Sequence, residues 1–218
     1  MRCEVEQRSF SSKVDNHPFG KLVSNPQNDL RLSSCGLNMF DFTKTYTVAD
    51  FFQTNKENQP YYERLSNGKT QQNNYRAFQS VKTGISKREN VKQYTRLAIE
   101  YHRRKNTFTW FADGRKIHQV TQVGIAPKNM NIILDIEGLD NEVDIENLSC
   151  GFGCFTALDT TDPLDKNSQS GLIRLTTDSY YKPTAFPIEV KDNRLWGQGA
   201  NVDRKSFKVT LRNDNSLV

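Results

Sequence analysis

Hydrophobic and polar positions alternate most clearly in the middle of the chain. In QYTRLAIEYHRR, Leu97, Ile99 and Tyr101 alternate with Ala98, Glu100 and His102. A period of two sends successive side chains to opposite faces of a strand. RKNT then reads as a turn. TFTWFADGRKIHQV holds two more strand-like runs, split by Asp113-Gly114. Asp-Gly suits a type I′ hairpin, whose two central residues both need positive φ. Residues 95–123 therefore predict a three-stranded antiparallel meander.

The same reading extends over most of the chain. NMFDFTKTYTVADFFQTN predicts two strands or one bent strand, and YYERL (61–65) a further short one. NIILDI (131–136), the segment around EVDIENL, GFGCFTALD, GLIRLTT and SFKVTLR predict others. Short strands at roughly ten-residue spacing, separated by Gly, Asn, Asp and Pro, predict a sandwich or barrel. No long run has the helical period. Residues 1–36 are rich in Ser, Asn and Pro and read as an irregular N-terminal arm. Residues 37–218 read as one all-β domain.

Composition narrows the classes of function. The 218 residues suit a single domain, and 35% hydrophobic content with 13 Phe and 8 Tyr can fill a core. Mean hydropathy is −0.73, and no apolar run approaches the roughly 18 residues of a membrane span. No membrane association is expected. The start, MRCEVEQRSFSSK, has no apolar h-region. A cytoplasmic location is expected, or a secreted one if the N-terminus has been trimmed. The net charge of +5 is spread along the chain, with one cluster at His102–Lys105 that reads as a solvated turn. Without a helix-turn-helix, finger or RNP-like pattern, no nucleic-acid partner is expected. Cys150 and Cys154 share one face of a predicted strand and read as two small buried hydrophobes, reduced and not linked to each other. His17, His102 and His118 lack the spacing that would complete a zinc site, and no metal or cofactor is expected.

Two stretches carry a resemblance. TRLAIEYHRRKNTFTWFADGRKIHQV resembles the W-x-V-D-G hairpin of concanavalin A-like jelly rolls, with Trp110, Phe111, Asp113, Gly114 and Ile117 at the matching positions. Glu142-Val-Asp-Ile-Glu146 resembles the E-x-D-x-E signature of laminarinase- and lichenase-type β-glucanases. More loosely, the succession ADFFQTN, YYERL, YRAF, LAIEYHRR, TWFADG and GFGCFTALD is similar to uncharacterised bacterial and fungal jelly-roll proteins. The resemblance implies a two-sheet antiparallel β-sandwich whose concave sheet forms a cleft for an oligosaccharide or another small polar ligand.

It also implies candidate roles. In a retaining β-glucanase, Glu142 would be the nucleophile, Asp144 its helper and Glu146 the general acid/base. Alternation along a strand would put the three acids on one face and Val143 and Ile145 on the other. In the glucanases, however, the acidic strand precedes the hairpin, whereas here it follows. The strand in the corresponding place carries Tyr61, Tyr62, Glu63 and Arg64. A cleft floored there would offer rings for stacking, Glu63 as the proton acceptor and Arg64 as an anion clamp, and could serve a small-molecule biosynthetic enzyme. Trp110 and Phe108 read as core, and His102 and His118 as solvated strand residues. Three readings stand: a ligand-binding jelly roll, a glycoside hydrolase and an enzyme acting on a small molecule.

Overall fold

The computed structural model describes residues 1–12, 14–16, 24–155 and 199–212. Eleven strands occur among them. They are β1 (Arg2–Ser12), β2 (Ser34–Asp41), β3 (Thr47–Gln53), β4 (Asn58–Arg64), β5 (Ala77–Val81), β6 (Thr95–His102), β7 (Thr107–Ala112), β8 (Arg115–Val120), β9 (Asn131–Ile136), β10 (Ser149–Phe155) and β11 (Gly199–Thr210). They form two antiparallel sheets. One has the order β11-β1-β6-β7-β8 and the other β10-β2-β3-β4-β5-β9. Single turns of 3-10 helix are the helical structure among the described residues.

The expected two-sheet antiparallel sandwich is thus what the chain builds. The meander over 95–123 is present as β6-β7-β8. Asp113 (φ 49°) and Gly114 (φ 79°) occupy the left-handed region that the hairpin requires. Leu37, Met39, Phe51, Tyr62 and Phe78 from the six-stranded sheet meet Val5, Leu97, Ile99, Phe108 and Trp110 from the five-stranded one. The Trp110 indole donates across this layer to the Asp50 backbone carbonyl at 2.7 Å, fixing one sheet over the other.

Three expectations need correction. Residues 2–12 are not part of an irregular arm. β1 lies inside the five-stranded sheet, hydrogen-bonded to β6 on one side and β11 on the other. Its inward positions run Cys3, Val5, Gln7, Ser9 and Ser11, so only the first two are apolar. The polar three are hydrogen-bonded instead: Gln7 Nε2 donates to Gln53 Oε1, Ser11 Oγ donates to the Ser33 carbonyl, and Arg88 donates to the Ser9 carbonyl. β2 also begins earlier than expected, at Ser34.

The segment 141–147 is not a strand but a stretch without sheet partners. Its alternation is nevertheless real: Ile145 is buried in the main core while Glu142, Asp144 and Glu146 are exposed. His118 is buried rather than solvated, because it faces inward opposite Trp110. Burial, with the Lys82 charge adding to it, holds its imidazole down to about 4. The expected strand GLIRLTT lies outside the described residues, as does His17.

Candidate functional site

β3 has the sequence TVADFFQ, and all seven residues are buried. Ala49 and Phe51 enter the core, so Val48, Asp50 and Phe52 face outward from the six-stranded sheet. On β4, Tyr62 enters the core, which turns Gln59, Tyr61 and Glu63 outward. Neither strand is bulged against the other. Asp50 stands directly opposite Tyr61, and Val48 opposite Glu63. Asp50 and Glu63 are therefore diagonal neighbours on one face, about 7–8 Å apart at the backbone. The flanking strands complete the row with Asn38 of β2, opposite Asp50, and Gln79 of β5, opposite Glu63.

This is a row of amide, carboxyl, carboxyl and amide across four strands, and it is buried. Asp50 is 3% exposed and Glu63 9%. Gln79 donates to Glu63 Oε2 at 2.9 Å. Burial pushes the Glu63 carboxyl up to about 7, against the pull of that hydrogen bond. Asp50 is raised well above the usual carboxylate range, first by burial and then by the Glu63 charge, with the Asn38 amide opposing both. Its Oδ1 has no hydrogen-bond partner. Both carboxyls are thus raised, and a charge on Glu63 makes ionisation of Asp50 costlier still.

Tyr61 lies beside both carboxyls. Burial foremost, then Glu63 and Asp50, hold its phenol well above the ordinary value, so it remains a hydroxyl donor at neutral pH. Its ring packs edge-on against Phe52 at 5.0 Å within a small outer-face cluster that includes Leu30 and Val81. A cleft of about 390 Å³ adjoins that cluster, lined by Gln59, Val81 and Ile133 with Asn28, Asp29 and Arg31. It opens one outward position along β4 from Tyr61.

The remaining expected residues fall elsewhere. Tyr62 fills the core beside Phe78, Phe108 and Trp110, and its hydroxyl accepts from the Gly124 N–H at 2.7 Å. Arg64 shares the Tyr62 side of β4. It lies over the Tyr75 ring at 3.9 Å and donates to the Gly124 carbonyl and to Asn141. It is a latch between loops, and it does not join Glu63 as an anion clamp. Glu142, Asp144 and Glu146 each meet a different partner: Gln122 at 3.2 Å, Arg103 at 3.9 Å and Lys44 at 2.9 Å. The Lys44 ammonium holds the Glu146 carboxyl below its usual range. Three separately paired, exposed carboxylates have neither the shared burial nor the mutual repulsion that would divide them into acid and base. Among the described residues, no group of three or more His, Cys, Asp or Glu is placed to hold a metal.

The sequence pointed to Tyr61 and Glu63 but not to Asp50, Asn38 and Gln79. The signal for Asp50 was present: a lone carboxylate in the otherwise apolar run TVADFFQ. A charge there is expensive unless something uses or neutralises it.

Comparison with known proteins adds a lineage to this geometry. "Uncharacterized protein L829" of Acanthamoeba polyphaga mimivirus is 23% identical over 290 aligned positions, which cover 89% of this chain and 66% of that protein. This chain thus spans just under two thirds of that relative's length. A family model described as "Family of unknown function (DUF6081)" matches residues 1–213. With nearly its whole length matched, the chain belongs to that family.

Proposed function

We propose that the outer face of the six-stranded sheet is a ligand site, and that Asp50 and Glu63 act there as an acid/base pair on a carbohydrate or similar small polar molecule. The observation that carries this reading is the paired, buried carboxyl row, with Glu63 raised to about 7 and the Asp50 oxygen unpartnered. Buried carboxyls raised by their surroundings are candidates for moving protons. Within the row, Glu63 is the base or nucleophile and Asp50 the proton donor. Tyr61 offers a hydroxyl beside both, and Asn38 and Gln79 hold the carboxyls in place. Diagonal neighbours on adjacent strands approach the roughly 5–5.5 Å of a retaining glycosidase pair more simply than residues four apart on one extended segment. The resemblance to concanavalin A-like jelly rolls supports the same ligand class, and the polar cleft beside Gln59 supports an approach from that end.

The test uses a panel of β-glucan and other oligosaccharides, with binding followed by calorimetry and cleavage by released reducing ends. At least one member is expected to bind. For any that turns over, Glu63→Gln and Asp50→Asn should each lower kcat by about 10²–10⁴. Glu142→Gln, Asp144→Asn and Glu146→Gln should leave it unchanged. Losses confined to those last three would return the chemistry to the acidic segment. No binding across the panel would remove carbohydrate as the ligand.

A further inference from the structure

The four cysteines fall into two facing pairs, and one pair has the makings of a reactive site away from the carboxyl row. Cys35 of β2 and Cys154 of β10 are directly opposed in the antiparallel ladder, with sulfurs 3.0 Å apart. Opposed residues have Cα atoms about 4.5 or 5.5 Å apart, both within the roughly 4.4–6.8 Å that a disulfide spans. Both cysteines are free thiols. They differ in access. Among the described residues β10 is the outermost strand of its sheet, and Cys154 is exposed, whereas Cys35 is fully buried. The expectation of a buried Cys154 is corrected by this edge position.

Their surroundings differ too. Burial, then the hydrogen bond with Cys154, raises the Cys35 thiol, while Ser9 and the Arg88 guanidinium pull the other way. Arg88 is itself buried, and among the described residues it donates to Ser9, Thr54 and Val91 rather than to a carboxylate. A buried cation near a thiol favours the thiolate. Once Cys154 is capped, its part in raising Cys35 is gone; burial still raises the thiol, and Arg88 and Ser9 still oppose it.

We infer that Cys35 and Cys154 form a thiol–disulfide exchange site, with Cys154 the entry thiol and Cys35 the resolving thiol, and with low-molecular-weight disulfides as oxidant. In the first step the Cys154 sulfur attacks the oxidant's S–S bond. A protein mixed disulfide forms, and one thiol leaves with the proton that Cys154 loses. In the second step the Cys35 sulfur attacks Cys154, its proton goes to the departing group, and a second small thiol leaves. Two electrons pass from the protein to the oxidant. The product is a bond between β2 and β10 that ties the edge strand to its neighbour. Cys3 and Cys150, the other facing pair, supply an internal comparison: Cys3 is fully buried and Cys150 half-buried.

The full chain is equilibrated in glutathione buffers of rising oxidised fraction, alkylated, and mapped by mass spectrometry. The expected result is a Cys35–Cys154 linked peptide that appears before any Cys3–Cys150 linkage and reverts on reduction. Cys35→Ser should leave a persistent glutathione adduct on Cys154, and Cys154→Ser should abolish both adduct and linkage. The oxidised wild type should also melt at a higher temperature than the reduced form. Cys154 remaining alkylatable throughout would overturn the proposal. So would an adduct on Cys154 in the wild type that never resolves onto Cys35, or a Cys3–Cys150 linkage that forms first.

Discussion

Glu63 illustrates how a single buried carboxyl writes itself into the stability of the whole chain. Its native midpoint is about 7 against an ordinary value of 4.5. Between those pH values the native state binds more of its proton than the unfolded state does. Stability from this group is therefore fully present below about pH 4.5 and is lost as pH rises through about 7. The size is on the order of 3 kcal/mol, from about 1.4 kcal/mol per pH unit. His118 slopes the other way. Its native midpoint of about 4 lies below its ordinary 6.5, so its contribution is present above 6.5 and lost as pH falls through 4. The two partly cancel between pH 4.5 and 6.5, and the wild-type curve alone would hide both. The difference between Glu63→Gln and wild type separates them. In urea unfolding, the variant should gain on wild type as pH is raised from 4.5 to 8, by about 3 kcal/mol in all. Parallel curves would mean that Glu63 titrates as an exposed group. A site residue that lowers stability when ionised fits the general trade between function and stability.

At the scale of elements, the segment 141–147 reverses what its sequence advertises. Its acids match a catalytic signature, yet its aliphatics carry the structural weight. Ile145 is 2% exposed in the main core, and its backbone N–H donates to the Tyr101 hydroxyl. Ile145→Ala should cost about 2–5 kcal/mol by leaving a cavity. Glu142→Gln, Asp144→Asn and Glu146→Gln should leave the melting temperature near that of wild type, since exposed ion pairs contribute little. Thermal unfolding of the four variants checks this ordering. β1 gives the opposite case, a segment that advertises little and supports much. Val5 is fully buried between two paired strands, so Val5→Asp should prevent folding, read as loss of the β-sheet circular dichroism signal. The alternation of Cys3 and Val5 with Glu4 and Glu6 is only four residues long, and the segment read as an irregular arm. Past Val5 the inward positions turn polar, and a pattern based on apolar residues has no purchase on Gln7, Ser9 and Ser11.

For the molecule as a whole, the sandwich was legible because each strand of the meander carries its own local signal: alternation, a turn residue, and in Asp113-Gly114 the required backbone handedness. Strands within 38–53, at 61–64 and at 131–136 were legible as short runs bounded by turn residues, though β2 and β4 begin earlier, at Ser34 and Asn58. The site was legible only in part. Alternation on one strand separates Tyr61 and Glu63 from Tyr62 and Arg64, and the structure keeps that division. What a strand cannot announce is its partner's register. Asp50 meets Glu63 only because β3 pairs β4 with Asp50 opposite Tyr61. That pairing is a property of two strands and the loop between them, so a motif search along one strand finds EVDIE instead. The central claim is that the outer face of the six-stranded sheet holds a coupled carboxyl pair with one shared burden of burial. Isotope-edited NMR of the side-chain carboxyl carbons across a pH series tests it most directly. The account expects Glu63 to titrate near 7, with Asp50 also displaced upward and moving down in Glu63→Gln. Ordinary acidic midpoints for both groups, with no change in Asp50 when Glu63 is replaced, would contradict it.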